Sequence, residues 1–311
     1  MWKQLPYYRE YVFLTYPAFV HRIESGSLRK VVMLLLLPLY FLRHARFFRP
    51  NYLALKYMDL PITTRCSLRC KKCSNLMQYY ETPTHIETDF LLAYIQTFFR
   101  HVDHVVQLNV LGGEPFMNRD LPRILRALLD TNKIQRIVVI TNGTIVPKAP
   151  ELIEILSHGS IEVSISDYGR YSKKMDKLCE FFSKEGIAFG TTTPEWTDAG
   201  EFENRGRNED ELRSQFAACA TPCRSLFRGQ FHVCARSAHG LDLGAIPVST
   251  KDYVDLTDGN LAPSAIRKAI RRLDRQMDYI TACNHCDTGT IHEKEVVPAE
   301  QVAAKREMLE V

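Results

Sequence analysis

Nine cysteines in a chain of 311 residues are where this sequence can do chemistry. Cys66, Cys70 and Cys73 form C-x3-C-x2-C, so one loop can present three thiolates to a metal or a cluster. Thiolate is the soft ligand that iron–sulfur clusters select. Three ligands on a four-iron cluster leave one iron open, and that opening separates a catalyst from an electron carrier, as it does at catalytic zinc. The same spacing also suits a zinc knuckle with His85 as a distant fourth ligand. Five more cysteines, Cys219, Cys223, Cys234, Cys283 and Cys286, lie in the last third. Cys179, beside Leu178 and Phe182 in a helical run, reads as plain core.

The elements that must position these thiols follow from the hydrophobic pattern. From about residue 60, β-like runs at 60–64, 105–111, 137–141, 161–166 and 187–192 alternate with helical runs. In one of these, 89–100, Phe90, Leu91, Tyr94, Ile95, Phe98 and Phe99 recur at helical spacing, with Thr88 as its expected N-cap. Residues 121–130 and 175–183 read the same way. Strands alternating with helices predict an α/β fold with a parallel sheet, because parallel strands need crossover connections. Five or six units are too few for an eightfold barrel, so an open, partial one is expected. Active sites of such sheets lie at the carboxyl ends of strands. The second strand ends there in Gly112-Gly113-Glu114-Pro115, where two glycines let backbone approach a ligand closely and Glu114 can receive an ammonium group.

The Gly-Gly-Glu-Pro turn together with C-x3-C-x2-C after the preceding strand resembles the radical S-adenosylmethionine (radical SAM) superfamily, over about residues 60–193. The resemblance implies a partial (β/α)6 barrel in which Cys66, Cys70 and Cys73 hold a [4Fe–4S] cluster. Its open iron would chelate SAM, with Gly112, Gly113, Glu114 and Pro115 at the SAM amino group. One electron would then cleave SAM to methionine and a 5′-deoxyadenosyl radical that removes a hydrogen atom from an unactivated carbon. Ser164 matches a serine near the SAM ribose, or else faces solvent on its strand. Asn142 ends a strand at the same edge, or serves as a turn former in Asn142-Gly143. Lys72 departs from the pattern, standing where an aromatic usually precedes the last cysteine near the adenine.

The second cysteine group is similar to the auxiliary-cluster signature of twitch-type members, the shortened SPASM domain. No cysteine follows Cys286, so one auxiliary [4Fe–4S] cluster is expected, held by Cys219, Cys234, Cys283 and Cys286; zinc is the alternative. The family spacing to Gly229 favours Cys219 over Cys223 as the ligand. Cys223 would then be a free thiol able to give a hydrogen atom to a substrate radical, as a cysteine does in radical SAM epimerases; in the other reading it is itself the ligand. Epimerisation of a carbohydrate or glycan-precursor carbon is therefore the leading expectation. Dehydrogenation of a sugar or cyclitol alcohol, peptide maturation, and a non-enzymatic metal-binding scaffold docked to membranes are the alternatives. A low-potential donor such as flavodoxin or ferredoxin would supply electrons.

Hydrophobic residues at 45% and charged residues at 24% exclude disorder, collagen and coiled coil for the whole chain. A net charge of +4 is too mild to argue for nucleic acid. The opening Met1-Trp2-Lys3-Gln4 does not read as a secretory leader, so a cytoplasmic protein with reduced thiols is expected. Composition sets apart a basic, apolar, helical stretch at 1–59, and the resemblance implies a radical SAM core at 60–200 and an auxiliary-cluster domain at 201–311. The apolar run 31–42, flanked by Arg29, Lys30, Arg43, Arg46 and Arg49, falls short of the about 20 residues that cross a bilayer. It reads as a helix lying at the inner face of a membrane, or as one packed on the main domain.

Overall fold

The structure is a computed structural model that describes residues 25–43, 45–49, 51–219, 223–259 and 261–302. The expected stretch at 1–24 lies outside the described residues. The chain enters as helix α1 (Gly26–Arg43), with Pro38 inside it. Five parallel strands follow in spatial sequence: β1 (Ala54–Thr63), β2 (His104–Gly112), β3 (Ile134–Thr141), β4 (Ile161–Ser166) and β5 (Phe189–Thr192). The crossovers carry α2 (Thr88–His101), α3 (Leu121–Asp130), α4 (Pro150–Leu156) and α5 (Met175–Lys184). This is the α/β architecture the alternating pattern predicts.

Three details differ from the sequence reading. Strand β1 begins at Ala54 rather than near residue 60, because Ala54 and Leu55 are buried and pair with His104 and Val105. Helix α2 is capped by Glu87, whose carboxylate accepts from the amides of Asp89 and Phe90 at 2.9 and 2.7 Å. A carboxylate suits the positive start of a helix, and the Thr88 hydroxyl donates instead to Asp120 at 2.6 Å. The third difference is topological. The sixth parallel strand comes from beyond residue 200, outside the expected core, and lies beside β1.

The chain reaches that edge after β6 (Trp196–Asp198) and α6 (Glu209–Ala218). Strand β7 (Ser225–Phe227) pairs parallel to β1, with Ser225 opposite Asp59. Strands β8 (Gln230–His232) and β9 (Tyr253–Asp255) continue antiparallel. The β7–β8 turn places Arg228 at φ 47° and Gly229 at φ 80°, the paired positive angles of a tight hairpin. Helices α7 (Ala235–Asp242) and α8 (Pro263–Arg275) intervene, and β10 (Lys294–Val296) returns to pair with β6. Phe98 of α2 and Phe231 of β8, ring centroids 5.4 Å apart, weld the two ends of the sheet into one core.

The sheet has two unlike faces. Met58, Leu60, Ile62, Leu108, Val110, Ile137, Val139, Val163 and Ile165 join the helices in the apolar core. The alternate positions are polar: Asn109 donates to Asp59 at 2.8 Å, Gln107 donates to Asn109 at 2.8 Å, and Arg136 reaches both Gln107 and Glu162. Period-two alternation fixes this division. Ser164 shares the polar face with Glu162.

Candidate functional site

The three cysteines lie in the loop that leaves β1, at the carboxyl edge of the sheet. Their sulfurs sit among N–H donors. The Leu68 amide reaches Cys66 Sγ at 3.4 Å and Asn142 Nδ2 at 3.6 Å. Gln301 Nε2 reaches Cys70 Sγ at 3.4 Å. The amides of Met77, Asn75 and Leu76 point at Cys73. Burial pushes the Cys66 thiol up to about 12 and Cys70 to about 11, and raises Cys73 as well. A thiol held protonated by burial becomes a thiolate when a metal ion takes the place of its proton, which leaves to solvent. Amide donors then offset the charge of the bound thiolates, so this donor set fits an iron–sulfur cluster.

The Gly112-Gly113 turn is held directly against this loop. Gly113 N donates to Thr63 O at 2.9 Å and Glu114 N to Arg65 O at 2.8 Å. A Cβ on Gly112 would collide with the Thr63 carbonyl oxygen, and one on Gly113 with that of Arg65; Gly112 also sits at φ 137°. The glycines therefore let this strand end approach the neighbouring strand end closely. Glu114 anchors the turn. Its side chain is fully buried and accepts from the Phe116 amide at 3.1 Å, the Thr141 hydroxyl at 2.9 Å and the Asn142 amide at 2.9 Å. Burial lifts its carboxyl to about 7 although these donors pull the other way. Both Glu114 oxygens are engaged by these donors, and Pro115 is buried at the start of a short 3-10 turn.

Asn142 lies beside the cluster loop, donating to Ser67 Oγ at 3.0 Å while its side-chain oxygen takes the Thr144 amide at 3.1 Å. It is a turn former and a neighbour of Cys66 at once. Ser164 is half-buried on the polar face, opposite Ile140 and Gly190. His85 is bonded to the Thr63 hydroxyl at 2.9 Å and not to the cysteines. Lys72 reaches away to Asp198 and Glu201, both at 3.0 Å. Tyr168, just past β4, feels the charges of Cys73, Cys70 and Cys66 and packs edge-on against Trp196 at 5.5 Å. The sequence reading missed Tyr168, although its place after a strand end was the available signal.

The second group divides. Cys219, Cys234, Cys283 and Cys286 line one cavity of about 580 Å³. Arg207 donates to the carbonyls of Cys283 and Cys286 at 2.9 and 2.6 Å, and Gln215 to Cys286 O at 2.8 Å, fixing the C-x2-C loop. Gly289, at φ 79°, passes so close to Gln215 O and Cys219 N that a side chain would not fit. Cys223 is not among the cavity's lining residues; it hydrogen-bonds Asp59 on the polar face. Among the described residues, no three His, Cys, Asp or Glu side chains stand close enough to enclose a single metal ion.

Residues 60–177 match the family model of the radical SAM superfamily. This segment is a radical SAM domain. The chain is 25% identical over 114 residues to a GTP 3′,8-cyclase of Limosilactobacillus fermentum, covering 36% of this chain and 34% of that protein. It is 21% identical over 133 residues to the GTP 3′,8-cyclase of Helicobacter pylori, 42% and 39% of the respective lengths. The chain thus spans about a third of the curated relatives it matches. Among solved structures, BtrN in complex with AdoMet and 2-DOIA aligns at 12% identity and TM-score 0.44 over 80% of this chain and 97% of that one. Streptococcus suis SuiB bound to S-adenosylmethionine aligns at 18% identity and TM-score 0.37, over 56% and 44%.

The turn geometry makes a sharp prediction. Gly113→Ala should cost at least about 1–3 kcal/mol through overpacking against backbone and lower the iron retained after reconstitution. Gly159→Ala, with nothing within 4 Å of the added methyl, serves as the neutral control. Thermal melting and an iron assay read both. A Gly113→Ala protein with unaltered melting and full iron would show that the close contact is dispensable.

Proposed function

We propose that this radical SAM enzyme epimerises a carbohydrate or glycan-precursor carbon, with Cys223 as the hydrogen-atom donor. The observation that carries it is the pairing of Cys223 with Asp59 on the polar face of the sheet, while Cys219, Cys234, Cys283 and Cys286 line a cavity in which Cys223 takes no part. Burial first, and then the charge of Asp59, push the Cys223 thiol up to about 12. A group held as S–H at neutral pH is what hydrogen-atom donation needs, since a thiolate has no hydrogen to give. The four remaining cysteines and their cavity support a single auxiliary [4Fe–4S] cluster held by Cys219, Cys234, Cys283 and Cys286.

The cluster at Cys66, Cys70 and Cys73, when bound, supplies the electron that splits SAM into methionine and a 5′-deoxyadenosyl radical. Abstraction of the substrate hydrogen gives 5′-deoxyadenosine and leaves a carbon radical. Cys223 breaks its S–H bond to deliver hydrogen to the opposite face, and becomes a thiyl. One electron and one proton restore the thiol, so each turnover consumes two electrons from a low-potential donor such as flavodoxin or ferredoxin. Asp59, with its carboxyl raised by burial to about 6, is the neighbouring group able to return that proton.

The same carboxyl favours one second reading, a dehydrogenase of a sugar or cyclitol alcohol in which Asp59 takes the hydroxyl proton. The cyclases' reaction is not carried over, since the likeness covers about a third of each. Reconstituted, reduced protein is expected to release 5′-deoxyadenosine from SAM. In deuterated water an epimerised product should carry one solvent deuterium, and Cys223→Ala should still yield 5′-deoxyadenosine but no epimer. An oxidised, deuterium-free product would establish the dehydrogenase instead. Wild-type protein should bind about eight irons and a Cys283→Ala, Cys286→Ala double variant about four. Four irons in both would remove the auxiliary cluster.

Helix α1 supports a peripheral contact with an anionic membrane. Leu28, Val31, Leu34, Leu35, Leu39 and Leu42 are exposed along it, and no acid occurs between Glu24 and Asp59. Apolar side chains enter the interface while the basic character of the segment favours anionic headgroups. Among the described residues, no helix is long and apolar enough to cross a membrane. The protein should sediment with phosphatidylglycerol vesicles, less with phosphatidylcholine ones, and Leu35→Glu with Leu39→Glu should abolish it. Dimerisation lost in that variant, without vesicle binding, would assign the face to a second copy.

A further inference from the structure

The segment 299–302 lies across the cysteine loop. Cys70 and Gln301 form an isolated antiparallel bridge. Val302 N donates to Arg69 O and Lys71 N to Glu300 O, both at 2.7 Å, and the Lys71 ammonium meets Glu300 at 3.1 Å. Ala299, fully buried, turns the chain with φ at 57°, a conformation that costs a non-glycine residue energy and persists because the surrounding structure imposes it.

Within this strap the Gln301 amide has no freedom to flip. Its oxygen accepts from the Arg69 amide at 2.7 Å, which must be a donor. Its nitrogen donates to the Ala299 carbonyl at 2.6 Å, which must be an acceptor. The two partners fix which end is which. The remaining N–H points at Cys70 Sγ, 3.4 Å away.

We infer that Gln301 is a positioning residue that sets the reduction potential of the cluster held by Cys66, Cys70 and Cys73. This rests on the radical SAM reading of that loop. An N–H bond to a ligand sulfur draws negative charge off it, which favours the reduced cluster more than the oxidised one because the reduced cluster carries one more negative charge. Hydrogen bonds to sulfur are among the levers by which proteins set cluster potentials. The donor comes from the part of the chain just beyond Cys283 and Cys286, so residues outside the matched domain act on its cluster.

The test is a redox titration of the reconstituted protein, following the EPR signal of the reduced cluster that SAM perturbs. Gln301→Leu removes the N–H. Gln301→Glu keeps an acceptor for the Arg69 amide but loses the donor to Cys70. Both should shift the midpoint potential to more negative values, Gln301→Glu further because of its charge. Glu300→Ala breaks the strap's ion pair while leaving Gln301 in place, and should leave the potential where it was. Potentials unchanged in both Gln301 variants, with iron content intact, would overturn the inference while sparing the cluster. A potential lowered equally by Glu300→Ala would reduce Gln301 to a tether. Wild-type protein that assembles no SAM-perturbed cluster would overturn this inference and the reading beneath it together.

Discussion

Backbone packed on backbone, where Gly112 and Gly113 meet the carbonyls of Thr63 and Arg65, is the constraint on which the site depends. Parallel strands β1 and β2 lie side by side along their length, but any Cβ at their ends would force them apart. Without one, two amide bonds join the turn to the cysteine loop. Glu114 then extends the contact across the sheet, taking donors from its own turn and from Thr141 and Asn142 at the end of β3. Ser172 continues the chain of bonds by donating to Asn142 O and Ser166 O. Three strand ends and a loop are thus fixed relative to one another, which is the pre-organisation that a cluster and its nucleotide require.

The two cysteine groups are solvated by the protein in different ways. Around Cys66, Cys70 and Cys73 the donors are neutral amides. Around the second group, Arg213, Arg224 and Arg236 line the cavity, and Arg207 grips the loop that carries Cys283 and Cys286. These guanidiniums are themselves paired, Arg213 with Glu209 and Asp210 and Arg224 with Asp274, so the second group lies in a network of ion pairs and the first among neutral donors. Asp287, paired with both Arg205 and Arg207, extends that network just beyond the C-x2-C loop.

What the sequence made legible was whatever local pattern controls. The alternation of strands and helices, the C-x3-C-x2-C loop and the turn after β2 are all short-range signals, and each occupies the edge that parallel-sheet geometry assigns to it. The capping of α2 went astray because two adjacent residues could both cap, and the carboxylate of Glu87 prevailed over the hydroxyl of Thr88. The groups that Gly112, Gly113 and Glu114 touch were not legible because Thr63, Arg65, Thr141 and Asn142 are neighbours only across the sheet. Lys72 could not be placed without Asp198 and Glu201. Gln301 lies 232 residues from Arg69 in the chain, and nothing near it in sequence announces a cysteine partner.

The position of β1 carries a consequence for how the molecule can be divided. It lies between β2 and β7, and at Asp59, opposite Ser225, its second edge is engaged by residues from beyond the point where the strand–helix alternation ends, the Asp59 amide donating to Arg224 O. A fragment stopped at residue 200 would leave the Asp59 amide without this partner and uncover the edge of a buried strand. Such an open border invites pairing between molecules and aggregation. The matched domain is therefore not a module that can be excised from its own tail.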